Sequence, residues 1–308
     1  MHTILGANGT IAKELSRALA TDAVHIRQVS RNPRKVNVND QTVAANLLDA
    51  RATADAVCGS EIVYLLAGLK YNTAIWQDQW PRIMRHVIDA CKRHGAKLIF
   101  FDNVYAYGHV NGAMTEETPF NPVSRKGEVR AKIASMLLNE MHSRNLQAMI
   151  VRAADFYGPG AEQSFLHNMV FQRLKKRKAA QWLGNPNAIH SFTFTPDTGL
   201  ALAVLGKSTE AYGQTWHLPT SRQSMTGAEF VRLAYELAEQ PYRLKVVPRW
   251  LLKGIGMFMP VLRENEEMMY QFEYDYCFDS SKIEAAFGIQ PTPYRQGIGV
   301  CLSSPAAL

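Results

Sequence analysis

Hydrophobic residues occur along this chain in two alternating patterns. Short continuous apolar runs, such as 3–5 and 61–66, are typical of buried strands, whereas the stretch from Ile75 to His94 repeats its apolar residues at helical spacing and ends at Gly95. The same patterns predict further strands at 24–29, 41–45, 96–101 and 148–152, and further helices after Gly9, at 50–58 and at 124–144. Strands that alternate with helices in this way predict an α/β fold with a parallel sheet that helices cover on both faces.

A turn containing two glycines joins the first strand to the first helix. The glycines allow a tight turn in which the backbone approaches a pyrophosphate, and the small side chain of Ala12 lets the helix pack close to the strand. The N–H groups at the start of the helix, with the positive end of its dipole, would hold the anion. An ordinary helix-starting turn is the alternative, but a second strand follows at the distance that a ribose-binding residue requires. The predicted cofactor contacts in this turn are Gly6, Asn8, Gly9, Thr10 and Ile11.

The residues after the second strand bear on which dinucleotide binds. A site for NAD usually carries Asp or Glu there, paired with the ribose hydroxyls, whereas this chain has Ser30 and Arg31, followed by Arg34. A carboxylate repels a 2′-phosphate, and a hydroxyl beside a guanidinium group binds it. The pattern therefore predicts NADP, with NAD as the alternative cofactor. The competing interpretation is that Arg31 and Arg34 are solvated loop charges.

Length and composition predict a soluble, enzyme-sized protein. The chain has 308 residues, 47% of them hydrophobic, which is enough for a large core and argues against a disordered chain. Its net charge of +7 is spread along the sequence and is compatible with anionic small molecules. The main basic cluster, 173–178, is typical of a helix C-terminus or a solvated face, and contact with a substrate phosphate is the alternative. Nucleic-acid binding is not expected.

The cysteines, histidines and apolar runs further restrict the class of protein and its expected location. The four cysteines lie far apart and form neither a zinc-binding nor a disulfide pattern, which favours the reducing cytoplasm. The nine histidines lack metal-ligand spacing, so no metal is expected. Because Met1 is close to the first strand, we expect no signal peptide. The longest apolar run, Trp250 to Leu262, is too short to span a membrane; we interpret it as a surface-packing or substrate-side segment, with a membrane-touching helix as the alternative.

Several short motifs follow one another in the order found in one enzyme family. They are the glycine turn, 65–68, 106–108, 115–119, 152–160, 195–197, and 279–282 with 287–288. On these motifs, the sequence resembles an extended or atypical short-chain dehydrogenase/reductase of the NAD-dependent epimerase/dehydratase family. The resemblance implies NAD(P)-dependent chemistry on a small carbonyl or carbinol substrate, and sugar nucleotides are frequent substrates in that family.

The resemblance also implies how the chain is divided. Residues 1–160 and about 188–210 would form a Rossmann-like, doubly wound dinucleotide-binding domain. Residues of about 161–187 and 211–308 would form a smaller C-terminal substrate-binding lid. Ligands would lie at the carboxyl ends of the strands, in the cleft between the two parts.

Further contacts follow from the same resemblance. Ala67 and Gly68 would border the cofactor, and the helices from Ile75 and from Ser124 would pack against a second subunit in a homodimer. The lid would supply polar and aromatic side chains of the kind that a small-molecule pocket needs. These are Tyr157, Phe165, His167, Arg263, Glu267, Tyr270 and Gln271.

The chain departs from the family at the catalytic motif after the fifth strand. Where family members carry Ser-Ser-x-x-Val-Tyr-Gly, this sequence has 102–108, so Asn103 replaces the polarising hydroxyl. The Asn103 amide can still donate a hydrogen bond to a substrate oxygen. Tyr105 occupies the position at which the similar dehydratases keep an acid/base carboxylate. For Tyr105 and Tyr107, aromatic packing around the cofactor is the alternative.

The second departure concerns the family's Tyr-x-x-x-Lys motif. The matching stretch puts Lys126 at the tyrosine position and Arg130 at the lysine position. Arg130 can bond ribose hydroxyls but does not give up its proton. Lys126, near the nicotinamide and next to other cations, is expected to act as acid or base, and an exposed lysine in the first helical turn is the alternative. A shifted register would use Glu128 and Lys132, but it loses the agreement at Pro, Ser and Gly.

Two classes of function follow from these residues. The first is an NADP-dependent oxidoreductase or epimerase in which Asn103 orients the substrate oxygen and Tyr105 or Lys126 exchanges the proton. The second is a cofactor-binding sensor or scaffold that has kept the phosphate cradle and lost the chemistry, with Lys126 and Arg130 only structural.

Overall fold

The computed structural model describes residues 1–22, 24–248 and 264–303. The predicted elements of the first half all occur, with ends that differ from the predicted ones by at most two residues. The strands are β1 (His2–Leu5), β2 (Ile26–Ser30), β3 (Gln41–Ala44), β4 (Ile62–Leu65), β5 (Lys97–Asp102), β6 (Ala113–Met114), β7 (Ala148–Arg152), β8 (Asp155–Tyr157), β9 (Ala180–Leu183), β10 (Phe192–Phe194), β11 (Thr215–His217), β12 (Leu244–Val247) and β13 (Cys277–Phe278). The segment Trp250 to Leu262 and the side chain of Arg263, both singled out above, lie outside the described residues.

The helices are α1 (Thr10–Ala20), α2 (Ala50–Val57), α3 (Thr73–His94), α4 (Arg125–His142), α5 (Gln172–Lys175), α6 (Thr195–Lys207), α7 (Gly227–Leu237), α8 (Tyr270–Glu273), α9 (Ser281–Phe287) and α10 (Tyr294–Ser303). A π-helical turn at His167–Phe171 precedes α5, and a 3₁₀ turn at Tyr105–Tyr107 follows β5. Within the described ranges, none of these helices combines the length and the apolar character needed to cross a membrane.

The described strands include a seven-stranded sheet in the order β11-β7-β5-β4-β1-β2-β3. The pairs from β7 through to β3 are parallel, and Leu5 lies opposite both Val29 and Leu65. The strand order reverses at β1, because β2 follows on one side and β4 on the other. Loops at the carboxyl ends of β1 and β4 therefore meet at a topological switch point, where open α/β sheets bind their ligands.

Local signals fix the long helix that follows β4. The Asn72 side chain accepts a hydrogen bond from the Ile75 N–H at 3.0 Å and so caps the start of α3. Gly95, with φ +65°, ends the helix in the left-handed conformation that glycine adopts without strain. The start and the end of α3 are thus fixed by short-range contacts.

The packing of the chain divides it into two compact units. The first contains Met1–Ala106, Lys126–Arg152 and Thr198–Trp216 and holds the parallel sheet. The second contains Tyr107–Arg125, Ala153–Asp197 and His217–Leu308. The boundary expected near residue 160 differs from this division, because 107–125 and 153–160 belong to the second unit. That the two parts bind cofactor and substrate respectively stays a prediction.

An aromatic core explains why the segment before residue 160 belongs to the second unit. Tyr157 is 1% exposed and packs against Phe194, Phe230 and Tyr294, with ring centroids 5.2–5.9 Å apart. These rings belong to a larger buried cluster of the second unit. The aromatic contacts therefore fix Tyr157 in a core, and the substrate-pocket role predicted for it stays a prediction.

Candidate cofactor and catalytic site

The turn after β1 has a backbone geometry that requires glycine at one position. Gly6 has φ +105°, and a Cβ added to it would lie 2.5 Å from the backbone N and Cα atoms of Ala67. Its N–H donates to the Val29 carbonyl at 2.9 Å. Gly9 differs, because its φ of −65° is an ordinary one and an added Cβ would meet only the Gly6 carbonyl at 3.4 Å. Of the two glycines, only Gly6 is therefore required for the close approach of β1 and β4 at the switch point.

Asn8 connects this turn to the loop after β2. Its φ of +80° is left-handed, a conformation that Asn tolerates better than most residues. The side-chain amide donates to the Asn32 carbonyl at 2.7 Å and to Ser30 Oγ at 3.5 Å, and the side-chain oxygen accepts the Arg34 N–H at 3.0 Å. The two loops that the sequence assigns to the pyrophosphate and to the ribose are therefore joined by one side chain.

A cleft of about 400 Å³ opens beside these two loops. It is lined by Asn8, Lys13, Asn32, Arg34, Lys35 and Val36. Three of these side chains are cations, which suits an anionic ligand. Arg31, which sequence reasoning put first, is exposed and is not among the lining residues. Lys13 and Lys35 were not predicted as cofactor contacts. Lys13 lies on α1, and only folding brings it near the loop.

The buried Asp40 carboxylate fixes the loop that carries Arg34 and Lys35. Burial alone would raise the Asp40 pKa, but hydrogen bonds from Asn37, Gln28 and the Val36 N–H together lower it below its ordinary value. The backbone N–H groups of Val36 and Asn37 each donate at 3.0 Å. Asp40 is therefore held ionised beneath the cleft.

The start of α1 also faces this turn. Gly9 occupies the N-cap position, where glycine has no side chain that could make a capping hydrogen bond. Thr10 and Ile11 are the first two helical residues. Ala67 and Gly68 follow β4 on the other side of Gly6, Ala67 partly buried and Gly68 exposed. The predicted cofactor residues from β1 and β4 thus lie at one point of the sheet edge.

A buried ion-pair cluster lies at the end of β5. Asp102 pairs with Arg130 from α4, whose Nε is 2.6 Å from Oδ1, and with Arg152 from β7, whose Nε is 3.3 Å from Oδ2. The Asn103 N–H also donates to Asp102 Oδ1 at 2.8 Å. All three charged side chains are at most 5% exposed. Sequence reasoning missed this cluster, because its members are distant in the chain.

Arg130 is also enclosed by aromatic rings. Its guanidinium carbon lies 4.6 Å from the ring centroid of Trp80, 5.1 Å from that of Phe100 and 5.8 Å from that of Trp76. The side chain is therefore held by charge and by stacking within the first unit. The contact with ribose hydroxyls predicted for Arg130 stays a prediction.

Lys126 is buried, and the alternative of an exposed first-turn lysine is wrong. Its side chain is 0% exposed, Nζ donates to Thr73 Oγ1 at 3.0 Å, and the same atom lies 4.6 Å from the ring centroid of Tyr71. Thr73 and Tyr71 stand at the start of α3 and in the loop before it. No linear motif contains these three residues, so sequence reasoning could not bring them together.

Asn103 and Tyr105 lie close to one another after β5. The Asn103 Oδ1 accepts the Tyr105 N–H at 3.1 Å, which forms a turn and leaves the amide nitrogen as the donor end of the side chain. The Tyr105 ring is stacked on Trp76 with 6.3 Å between centroids and 16° between planes. Both side chains are partly exposed, so both can meet a ligand at this sheet edge.

Tyr107 belongs to the second unit and is part of a buried hydrogen-bonded chain. Its hydroxyl lies 2.8 Å from His217 Nε2, and His217 Nδ1 lies 2.7 Å from the Asp279 carbonyl. Because a carbonyl only accepts, Nδ1 carries the proton, and Nε2 accepts from the tyrosine in the neutral ring. Glu116 Oε1 accepts the His217 backbone N–H at 2.9 Å, and burial raises the pKa of this carboxyl. For Tyr107, the packing interpretation agrees with its 1% exposure.

The remaining lid residues are distributed within the second unit. Phe165 packs on Trp182 and Phe272, and His167 Nε2 accepts a hydrogen bond from the Gln172 side-chain amide at 3.1 Å. Glu267 accepts the Arg125 N–H at 3.0 Å. Tyr270 and Gln271 line a small cavity together with Gly108, His109, Val110, Met114, Asp275 and Tyr276. Only Tyr270 and Gln271 of the predicted set therefore line the same cavity among the described residues.

Comparison with known proteins gives a family match. The NAD dependent epimerase/dehydratase family matches residues 2–217. An uncharacterized UDP-glucose epimerase of Bacillus subtilis is 22% identical over 174 residues, which cover 54% of this chain and 55% of that protein. The chain thus spans about half the length of the curated relative that it matches.

Solved structures share the fold along almost the whole chain. The dTDP-glucose 4,6-dehydratase DesIV of Streptomyces venezuelae, with NAD and TYD bound, has a TM-score of 0.80 at 14% identity, covering 98% of this chain and 96% of that one. The UDP-glucose 4-epimerase of Thermus thermophilus, in complex with NAD, has a TM-score of 0.79 at 16% identity, covering 98% of each chain. These likenesses confirm the predicted Rossmann-like α/β fold class, and the family match confirms the resemblance.

Proposed function

The chain belongs to the NAD-dependent epimerase/dehydratase family, and on that premise we propose that it is an NADP-dependent oxidoreductase or epimerase of a small carbonyl or carbinol substrate. The observation that carries the proposal is the Gly6 turn, in which an added Cβ would lie 2.5 Å from the backbone of Ala67. Such a close turn, followed by a helix start that no side chain caps, suits a pyrophosphate. The residues present therefore fit a dinucleotide.

The cleft beside the turn supports NADP over NAD. Arg34, Lys35 and Lys13 line it, and no carboxylate is among its lining residues in the described chain. Three cations around a space of about 400 Å³ match the added charge of a 2′-phosphate. Arg31, exposed next to this set, stays in the proposal as a contributor from the loop surface. NAD, which the solved relatives named above hold, is the alternative cofactor.

The end of β5 supplies the side chains for the substrate. When bound, a nicotinamide dinucleotide supplies or accepts a hydride, which makes oxidation and reduction of a carbinol carbon possible. The amide of Asn103 would donate a hydrogen bond to the reacting oxygen, since its Oδ1 is already engaged by Tyr105. A phenol at this sheet edge would exchange the proton, and Tyr105 is the candidate that the sequence motif supplies.

One observation favours the second function, a cofactor-binding sensor or scaffold. Arg130 is tied to Asp102 and Lys126 is completely buried, so neither side chain of the substituted motif is directed to solvent. A chain that uses both only to hold its fold would keep the dinucleotide and lack turnover. Both functions therefore predict dinucleotide binding, and only the first predicts hydride transfer.

Turnover decides between them. The purified chain would be incubated with NADPH labelled at the transferable hydride, with a panel of carbonyl compounds and of sugar nucleotides of the classes named for its relatives. Transfer of label to any product supports the enzyme. Tight binding of NADPH without transfer to any member of the panel would favour the sensor. Activity that survives in Tyr105→Phe and Lys126→Ala alike would contradict the proton-transfer assignment.

Two further expectations belong to this proposal. A homodimer through α3 and α4 follows from the family resemblance, and sedimentation equilibrium tests it directly. The solvent-facing side of α3 carries ion pairs such as Arg82 with Asp78 at 3.6 Å and Arg85 with Glu140 at 3.7 Å. A cytoplasmic location is supported by the four cysteines, all present as free thiols.

A further inference from the structure

Lys126 is the one residue of the predicted catalytic set that cannot meet a ligand itself. Its side chain is 0% exposed, so any part that it plays in proton transfer must pass through a neighbour that reaches the surface. Its Nζ donates to Thr73, which is 9% exposed, and lies above the ring of Tyr71, which is partly exposed. Of these two neighbours, Tyr71 has the more accessible side chain and the more acidic hydroxyl.

Tyr71 stands where a substrate of the proposed enzyme would react. It lies in the loop between β4 and α3, at the carboxyl end of a strand whose neighbours are β1 and β5. Those neighbouring strands end in the Gly6 turn and in Asn103, respectively. Trp76 meets the Tyr71 ring edge-on, with 5.6 Å between centroids and 81° between planes, and so holds its orientation.

The charge near this ring favours loss of the phenol proton. The Lys126 ammonium lies 4.6 Å from the Tyr71 ring centroid within the protein, where solvent screens it little. Arg130, beyond Trp76, is ion-paired with Asp102, and Lys70, next in the chain, is exposed and screened by water. Lys126 is therefore the cation that acts most strongly on Tyr71.

We infer that Tyr71 exchanges the proton with the substrate oxygen and that Lys126 acts through it as a positioning residue. The inference rests on the proposed function. In it, Tyr71 and Lys126, which come from two separate segments, take the roles of the tyrosine and the lysine of the family's Tyr-x-x-x-Lys motif. In the reducing direction, a bound reduced dinucleotide would supply the hydride to the carbonyl carbon, and Tyr71 would give its proton to the carbonyl oxygen. A hydroxyl forms, and the phenolate that remains regains a proton from water. In the oxidising direction, the Tyr71 phenolate would take the carbinol proton while an oxidised dinucleotide, when bound, would accept the hydride from the carbinol carbon.

The first test follows the phenol and needs no substrate. Tyrosines labelled with carbon-13 at the hydroxyl-bearing carbon would be titrated by nuclear magnetic resonance, with Tyr71→Phe to assign the signal. In Lys126→Met, the Tyr71 titration midpoint should rise by about one pH unit, because the neighbouring ammonium is gone. The Tyr105 midpoint in the same spectra is the internal control and should move less. A Tyr71 midpoint that is the same with and without Lys126 would overturn the inference.

The second test uses variants that keep the ring. Tyr71→Phe preserves the edge-on contact with Trp76 and the contact with Lys126, so it should fold and bind NADPH normally. Its kcat should fall at least about a hundredfold, and that of Tyr105→Phe by less than about tenfold. Full activity in Tyr71→Phe, with wild-type turnover in the same assay, overturns the inference alone. Absence of turnover in the wild type contradicts the proposed function, and the titration of Tyr71 then still tests the Lys126–Tyr71 pair.

Discussion

Two regions at the same edge of the parallel sheet are built in opposite ways. The turn after β1 depends on backbone geometry, with Gly6 at φ +105° and Asn8 at φ +80° as its special positions. The end of β5 depends on side chains, with Asp102 pairing with two buried arginines. The first region keeps the pattern of its family, and the second has exchanged most of its characteristic residues. Backbone sites tolerate few substitutions, whereas a side-chain site can be rebuilt from different groups.

The largest effect is expected at the side-chain region. Asp102→Asn would leave the buried guanidinium groups of Arg130 and Arg152 without their counter-charge and should lower the free energy of unfolding by about 3–5 kcal/mol. Chemical denaturation measures this loss. Asp89→Asn, on the exposed face of α3, is the matched control and should change stability by less than about 0.5 kcal/mol. A small loss in Asp102→Asn would mean that the two regions do not differ as described.

The next effect probes the backbone region. Gly6→Ala combines a left-handed φ with an added Cβ 2.5 Å from Ala67, so it should cost about 1–3 kcal/mol of stability and abolish measurable dinucleotide binding. Gly9→Ala is the control in the unliganded chain, because Gly9 has φ −65° and its added Cβ meets one carbonyl at 3.4 Å. Thermal unfolding of both variants without ligand makes the comparison. Equal losses of stability in the two variants would contradict the conclusion that Gly6, and not Gly9, is the position that requires glycine.

Cofactor discrimination sharpens the first region further. Arg34→Ala should weaken NADP binding about tenfold and leave NAD binding nearly unchanged, because only the 2′-phosphate meets the lost charge. Arg31→Ala should weaken NADP binding less, since Arg31 does not line the cleft. Calorimetric titration of each variant with both dinucleotides measures this. An equal loss for NAD and NADP would argue against a phosphate contact.

The smallest effect concerns a partly buried carboxyl that contrasts with Asp102. Glu116 accepts a backbone N–H rather than pairing with an arginine, and burial raises its pKa above the ordinary 4.5. Because the folded state favours the protonated form, stability is lost as pH rises through the folded pKa. Glu116→Gln should therefore be more stable than the wild type at pH 7 by about 1 kcal/mol or less, with the gap closing at acid pH.

Denaturation across pH measures that gap. The control is Glu117→Gln at the exposed neighbouring carboxyl, where no gain at neutral pH is expected. A Glu116→Gln variant that is less stable than the wild type at pH 7 would contradict the burial argument.

Sequence reasoning predicted the fold well because its signals are local. The apolar runs of β1, β4 and β5 and the glycine that ends α3 all act within a few residues. The glycine turn was predicted for the same reason.

The contacts of the candidate site are mostly non-local, which is why they were missed. Lys126 is linked to Tyr71 and Thr73 across more than fifty positions, and Asp102 is linked to Arg130 and Arg152 from two different elements. A periodic pattern carries no information on such pairs. The alternative of an exposed Lys126 is wrong, because the packing of α4 against the start of α3 buries this side chain.

The most direct test of the central claim is calorimetric titration of the wild-type chain with NADP and with NAD. A chain whose Gly6 turn holds a dinucleotide, with Arg34 and Lys35 beside it, should bind one NADP per chain at least about tenfold more tightly than NAD. Failure of both dinucleotides to bind would contradict the claim at its base. Tighter binding of NAD than of NADP would contradict the phosphate contact and leave the turn as a site for NAD.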